Sequence, residues 1–280
     1  MITWTPETET ETMVKITPMG WLRVIARALV LCALVFGGLL LLLLVRLVEA
    51  PIFAPHRPIT PWITRIVCRG SFVVLGMEFS TTGTPMRGGG AVVANHSSWL
   101  DIFALNARQS VYFVSKSEVA KWPGIGWLAR ATGTLFIERR NSAARAQKEL
   151  LHDRLSAGHQ LLFFPEGTST DGLRVLPFKS TLFAAFFAQN LHDIMRIQPV
   201  TVIYTAPAGQ EARFYGWWGD MDFGSHLLKT LAAPRQGKVT VVYHPEMTVT
   251  DFSDRKTIAM ACCQTINQCH RREIAVQCGD

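Results

Sequence analysis

Ala91-Val92-Val93-Ala94-Asn95-His96-Ser97-Ser98-Trp99-Leu100-Asp101 is the stretch from which the fold and the chemistry of this chain are read. Ala91 to Ala94 has the length and apolar character of a short buried strand. Trp99 to Leu105 is apolar again and predicts a helix, with Ser97 or Ser98 as its cap. His96 therefore falls at a strand-to-helix junction, where side chains face a cleft. Asp101 lies five residues on. Along one continuous helix five residues turn through about 500°, so the two side chains would not share a face. They meet only if His96 sits in the loop and Asp101 in the first helical turn. A carboxylate bound to one imidazole nitrogen would fix the tautomer and leave the other nitrogen as a base. The spacing demands no nucleophilic serine, so such a base can act directly on a substrate hydroxyl. Taken alone, the stretch also fits a purely structural His–Asp pair.

Outward from this junction the chain alternates. Gly90–Ala94, Val111–Ser115, Thr134–Ile137, Gln160–Phe164, Ile197–Ile203 and Val239–Tyr243 have the apolar character of short strands. Helical patterns intervene at Leu100–Asn106, Ser142–Ala157 and Ser180–Gln189, and Arg255–Gln268 predicts a last helix. The alternation predicts an α/β fold with a mixed sheet flanked by helices.

The N-terminal third is different. Residues 1–19 are polar, with Glu7, Glu9 and Glu11 among threonines, and are expected as a flexible tail. Ala28 to Val45 is an uncharged run of 18 residues between Arg27 and Arg46. As a helix it covers about 27 Å, close to the hydrocarbon thickness of a bilayer. A secretory signal fits less well, because the run exceeds a usual signal core and no small-residue cleavage site follows cleanly. After the breaks at Pro51, Pro55, Pro58 and Pro61 comes Trp62 to Leu75, apolar but carrying Arg65 and Arg69. It predicts an interfacial helix or the second arm of a hairpin dipping into one leaflet. Residues 20–85 are thus expected as a membrane-helix anchor, and Gly83 to Gly90 as the linker into a domain over 86–280. Charge gives only a weak vote for orientation, because arginines lie on both sides of the run.

Composition agrees with membrane contact. The 280 residues are 49% hydrophobic and only 18% charged, against about 25% in an ordinary soluble protein. The net charge is +7, from 28 Lys+Arg over 21 Asp+Glu. No helix-turn-helix, zinc-finger or RNA-binding signature accompanies that charge, so no nucleic-acid partner is expected; anionic lipid and phosphorylated substrates lead. Cys32, Cys68, Cys262, Cys263, Cys269 and Cys278 include no CxxC pair. They are expected as thiols of a reducing compartment, with no metal site.

Three further stretches carry chemistry. Leu161-Leu162-Phe163-Phe164-Pro165-Glu166-Gly167-Thr168-Ser169-Thr170-Asp171-Gly172 runs from a strand into a turn, where glycine allows close backbone approach and a threonine hydroxyl with free N–H groups suits an oxyanion. Gly133-Thr134-Leu135-Phe136-Ile137-Glu138-Arg139-Arg140 ends a strand in two arginines, suited to phosphate or carboxylate. Ile197-Gln198-Pro199-Val200-Thr201-Val202-Ile203 is a buried strand. Together with the His-x4-Asp junction, these occur in the order and at the intervals of the glycerolipid acyltransferase family, which includes the bacterial 1-acylglycerol-3-phosphate acyltransferases. The chain resembles that family over roughly residues 85–205. Phe-Pro-Glu-Gly-Thr is fairly specific, and the ordered set more so.

The resemblance implies a membrane-bound lysolipid O-acyltransferase. His96 would take the proton from a lysolipid hydroxyl and Asp101 would orient it. Glu166, Gly167 and Thr168, with Arg139, would bind the acceptor's polar head. The acyl donor would be acyl-carrier-protein or acyl-CoA. No cofactor or metal is implied, since a thioester is already activated. Family members often carry Arg-Ser after Glu-Gly-Thr, where this chain has Ser169-Thr170. That departure, with the sequel Asp171-Gly172-Leu173-Arg174-Val175-Leu176-Pro177-Phe178-Lys179-Ser180, looks more like the branch that acylates lyso-ornithine lipid. Lysophosphatidic acid is the alternative acceptor, and use of both stays open. The implied location is the bacterial cytoplasmic membrane with the domain facing the cytoplasm; the sequence gives no sign of the oligomeric state. A serine lipid hydrolase is the rival enzyme class. Its Gly-x-Ser-x-Gly elbow is missed by one residue at Gly167–Gly172. A non-catalytic membrane scaffold is the rival outside enzymes, and the presence of His96, Asp101 and Glu166 argues against it.

Overall fold

The computed structural model of the chain describes residues 16–137, 144–187 and 195–278. The strongest local signal comes first. Pro18–Phe53 is one 36-residue helix, α1, about 54 Å long at 1.5 Å per residue. It starts inside the segment expected as tail, because Thr17 accepts from Gly20 N at 3.1 Å and Pro18 stands where no N–H is needed. Among the described residues it is the one helix long and apolar enough to cross a membrane. Leu29, Leu40 and Leu47 are 67%, 61% and 74% exposed.

Thr60–Leu75 forms α2, which folds back against α1. A Cβ on Gly38 would run into Val67, so glycine is what lets the two backbones close. Both ends of this hairpin touch the α/β body. Near one end Arg27 donates to Leu231 O and Ala233 O at 2.8 and 2.7 Å; near the other Arg57 donates to Ala131 O at 3.0 Å.

The body is a mixed eight-stranded sheet. Its strands are β1 (Glu78–Thr82), β2 (Gly90–Ala94), β3 (Tyr112–Lys116), β4 (Leu135–Ile137), β5 (Gln160–Phe163), β6 (Arg196–Thr205), β7 (Lys238–Tyr243) and β8 (Met247–Thr248). The order is β1-β7-β6-β2-β5-β3-β4, with β8 on β6. β2 runs parallel to both β5 and β6, while β7 and β8 are antiparallel to β6. Ala91 to Ala94 is wholly buried, as an apolar run covered on both sheet faces must be. Val92 and Ala94 enter the core facing α2 and the short helix α3 (Asp101–Asn106); Ala91 and Val93 enter the opposite core.

Four more α-helices surround the sheet: α4 (Ile125–Thr132), α5 (Ala144–Ser156), α6 (Phe223–Ala232) and α7 (Arg255–Cys278). Several elements depart from the sequence pattern, some for visible reasons. β1, Glu-Phe-Ser-Thr-Thr, precedes the Gly83–Gly90 linker and has one apolar residue; its pairing with β7 makes it a strand. α6 is a short segment with Gly, Ser, His and Lys among its apolar residues, and its start is set by Asp222 accepting from Ser225 N at 2.7 Å. α7 continues past Gln268 to Cys278, because no glycine or proline interrupts it. The helix expected from Ser180 is a 3-10 helix over Ser180–Phe187; residues 188 and 189 lie outside the described residues, as does Ser142.

Candidate active site

β2 delivers its next residues to the carboxyl end of the parallel strands, where ligands of α/β sheets bind. Asn95 carries the β2–β6 pairing one step further with its side chain. Its amide donates to Val202 O and accepts from Val202 N, both at 2.8 Å. The chain then turns out of the sheet through His96, Ser97 and Ser98 into α3. That turn is held from outside by Thr170 N donating to His96 O at 2.9 Å and Trp217 N donating to Ser97 O at 2.8 Å.

Asp101 is the first residue of α3 and is 0% exposed. Its Oδ2 accepts from His96 Nδ1 at 2.7 Å, Ser97 N at 2.9 Å and Ser98 N at 3.0 Å. Its Oδ1 accepts from Tyr204 Oη at 2.7 Å. The carboxylate thus closes the turn that leads into α3 and orients the imidazole together. Since Nδ1 donates to the carboxylate, the neutral ring carries its lone pair on Nε2. The imidazole lies flat on Phe164, with ring centroids 4.0 Å apart at 12°, and its side chain is 21% exposed. Among the described residues no side chain is hydrogen-bonded to Nε2.

Glu166 is placed differently from what the resemblance implies. It does not present its carboxylate to a head group: the residue is 2% exposed and both oxygens are taken. Oε1 accepts from His96 N and Oε2 from Leu176 N, each at 2.7 Å. It sits beneath the His96 turn and ties it to the loop after β5. Burial is the largest influence on its carboxyl and lifts it to about 8, with the nearby Asp101 adding to the rise and the two N–H donors opposing it. Between the ordinary carboxylate range and about 8 the folded chain holds a proton that the unfolded chain has lost, so stability falls as pH rises through that window. Glu166→Gln offers one oxygen for two N–H groups, and the one left facing the amide costs about 1–3 kcal/mol. The expected result is a lower Tm that has lost this fall with pH, measured by thermal unfolding at pH 5.5 and 8 in detergent.

Gly167 has a left-handed backbone, φ 74°. Thr168 is half-buried, its hydroxyl making a long 3.4 Å contact to Ser169 O. Arg139 lies outside the described residues. The structure therefore brings His96, Asp101 and Glu166 into direct contact, with Gly167 and Thr168 adjoining.

Several participants carried no signal in the sequence. Tyr204 is separated from Asp101 by 103 positions, and only the pairing of β6 with β2 brings them together. Trp99 donates its indole N–H to His226 Nδ1 at 2.9 Å. His226 is 0% exposed, and burial, then the Lys229 charge, pushes its imidazole down to about 4, so it stays a neutral acceptor.

The chain is similar to known proteins in sequence and in fold. An acyltransferase family model matches residues 74–203. The lyso-ornithine lipid O-acyltransferase of Rhodobacter capsulatus is 61% identical over 85% of this chain and 84% of that protein. The protein of that name from Pseudomonas aeruginosa is 36% identical over 78% of this chain and 82% of its own length. The crystal structure of the 1-acyl-sn-glycerophosphate acyltransferase from Thermotoga maritima shares the fold, with a TM-score of 0.65. It is 18% identical and covers 91% of this chain and 96% of that one.

Proposed function

We propose, from the fact that this chain belongs to the acyltransferase family, that it moves a fatty acyl group from acyl-carrier-protein to the free hydroxyl of a lyso-ornithine-type lipid at the cytoplasmic membrane. The observation that carries the chemistry is the imidazole held by Asp101 at Nδ1 with its Nε2 unbonded among the described residues. The acceptor hydroxyl gives its proton to Nε2 as its oxygen attacks the thioester carbonyl. The tetrahedral oxyanion collapses, the carbon–sulfur bond breaks, and the thiolate leaves with the proton from the imidazolium. Asp101 stabilises the imidazolium while it exists. Glu166 keeps the His96 turn in register; Gly167, Thr168 and Arg139 are the proposed contacts of the acceptor's head. A thioester is activated enough that this route calls for neither metal nor organic cofactor.

The donor assignment draws support from charge. Acyl-carrier-protein is acidic, and this chain has a net charge of +7. The membrane assignment draws support from the α1–α2 hairpin, whose outer face is apolar while both ends return to the α/β body. A hairpin lying in one leaflet leaves the whole body on one side, and a thioester donor places that side in the cytoplasm.

The test is an assay of the full chain in membranes, offering lyso-ornithine lipid and lysophosphatidic acid side by side with acyl-carrier-protein thioester. The expected result is a kcat/KM for lyso-ornithine lipid at least about tenfold higher, the worth of one good charged contact. A preference for lysophosphatidic acid would replace this acceptor with the phosphate one.

A further inference from the structure

The loop between β5 and the 3-10 helix at Ser180 is closed on itself. Lys179 N donates to Pro165 O at 2.9 Å, and Leu176 N donates to Glu166 Oε2 at 2.7 Å. Two cationic side chains stand on it. Arg174 is engaged by Asp171, with Nε to Oδ1 at 3.2 Å and an Nη to Oδ2 at 3.0 Å. Lys179 is exposed, and among the described residues no carboxylate pairs with it.

Where the Lys179 side chain lies is decided by Gly167. A Cβ built on Gly167 would meet Lys179 Nζ at 2.6 Å, Cδ at 3.3 Å and Cε at 3.4 Å. The aliphatic stem therefore crosses the glycine, and the ammonium rests over the Glu166-Gly167-Thr168 turn. Any side chain at 167 would displace it, besides the strain of a φ of 74°. The turn beneath is the one whose Glu166 holds the backbone of His96 at 2.7 Å. A cation with no carboxylate partner among the described residues thus stands at the rim of the site that positions the base. Ser169, the residue after Glu-Gly-Thr, brings no charge of its own to this turn.

We propose that Lys179 binds the carboxylate of the lysolipid acceptor across Gly167 and so selects an amino-acid lipid; this rests on the lyso-ornithine reading above. Ornithine acylated on its α-nitrogen keeps a free α-carboxylate, and a lysine ammonium is a compact partner for it. The contact holds the head group while the 3-hydroxyl of the fatty chain reaches His96.

The experiment uses the full chain in membranes, with lyso-ornithine lipid and its carboxyl methyl ester as paired acceptors. Wild type is expected to prefer the free acid roughly ten- to hundredfold in kcat/KM, the range of a hydrogen bond to a charged group. In Lys179→Met that preference collapses to about one, mainly through a higher KM for the acid. In Lys179→Arg much of it is retained. A Lys179→Met chain that keeps the acid-over-ester ratio overturns the inference, and so does one that loses both acceptors in equal proportion. Wild type that acylates neither lipid instead removes the acceptor reading, and the inference with it.

Discussion

Asp101→Asn is expected to fold with a Tm close to that of the wild type while losing about 10²–10⁴ of its acyl-transfer rate. The two effects separate because the carboxylate has two tasks. As a scaffold, Asp101 accepts four hydrogen bonds, three at Oδ2 and one at Oδ1. An asparagine with its carbonyl in the Oδ2 place keeps the bonds from His96, Ser97 and Ser98. Its amide then faces Tyr204, whose hydroxyl can turn from donor to acceptor. The net of bonds largely survives, and the Nδ1–H tautomer with it. What is lost is the negative charge beside an imidazolium that forms during the reaction, in a place shielded from water. Asp101→Ala marks the contrast. It leaves two backbone N–H groups, the imidazole and the Tyr204 hydroxyl without their partner, at about 1–3 kcal/mol for each that is buried. That variant is expected to lose stability as well as activity. Thermal unfolding together with initial rates distinguishes the two, and an Asp101→Asn enzyme of near wild-type rate would reduce Asp101 to a brace of the turn before α3.

Much of this architecture was legible in the chain. The apolar periods of β2, β5, β6 and β7 and the long run in α1 are strong because those segments are covered on one face or more by core or lipid. Helix geometry allowed the His96–Asp101 contact only across a loop-to-helix boundary, and that is where the structure places it. Tertiary override accounts for the elements that were not legible. β1 is polar and exists by pairing with β7, and α6 is set by a cap and by α1 packed against it. The burial of Glu166 has a related cause: an acidic residue in a glycine turn gives no hint that two backbone N–H groups, at His96 and Leu176, will converge on it. Tyr204 and the stacking of His96 on Phe164 are likewise products of strand order, which no local pattern encodes.

His96→Ala tests whether an imidazole acts on a lipid hydroxyl with no protein nucleophile between them. The substitution removes one of four donors to Asp101 and uncovers Phe164, but leaves the turn held by Glu166, Thr170 and Trp217. The chain is therefore expected to fold and to remain in the membrane. The loss falls on proton transfer, for which a positioned base is worth about 10²–10⁴ in rate. The direct measurement is acylation of lyso-ornithine lipid by membranes holding equal amounts of wild-type and His96→Ala protein. A fall of about a thousandfold with unchanged protein level and Tm is the expected result; turnover near that of the wild type would mean that the His96 imidazole is not the base.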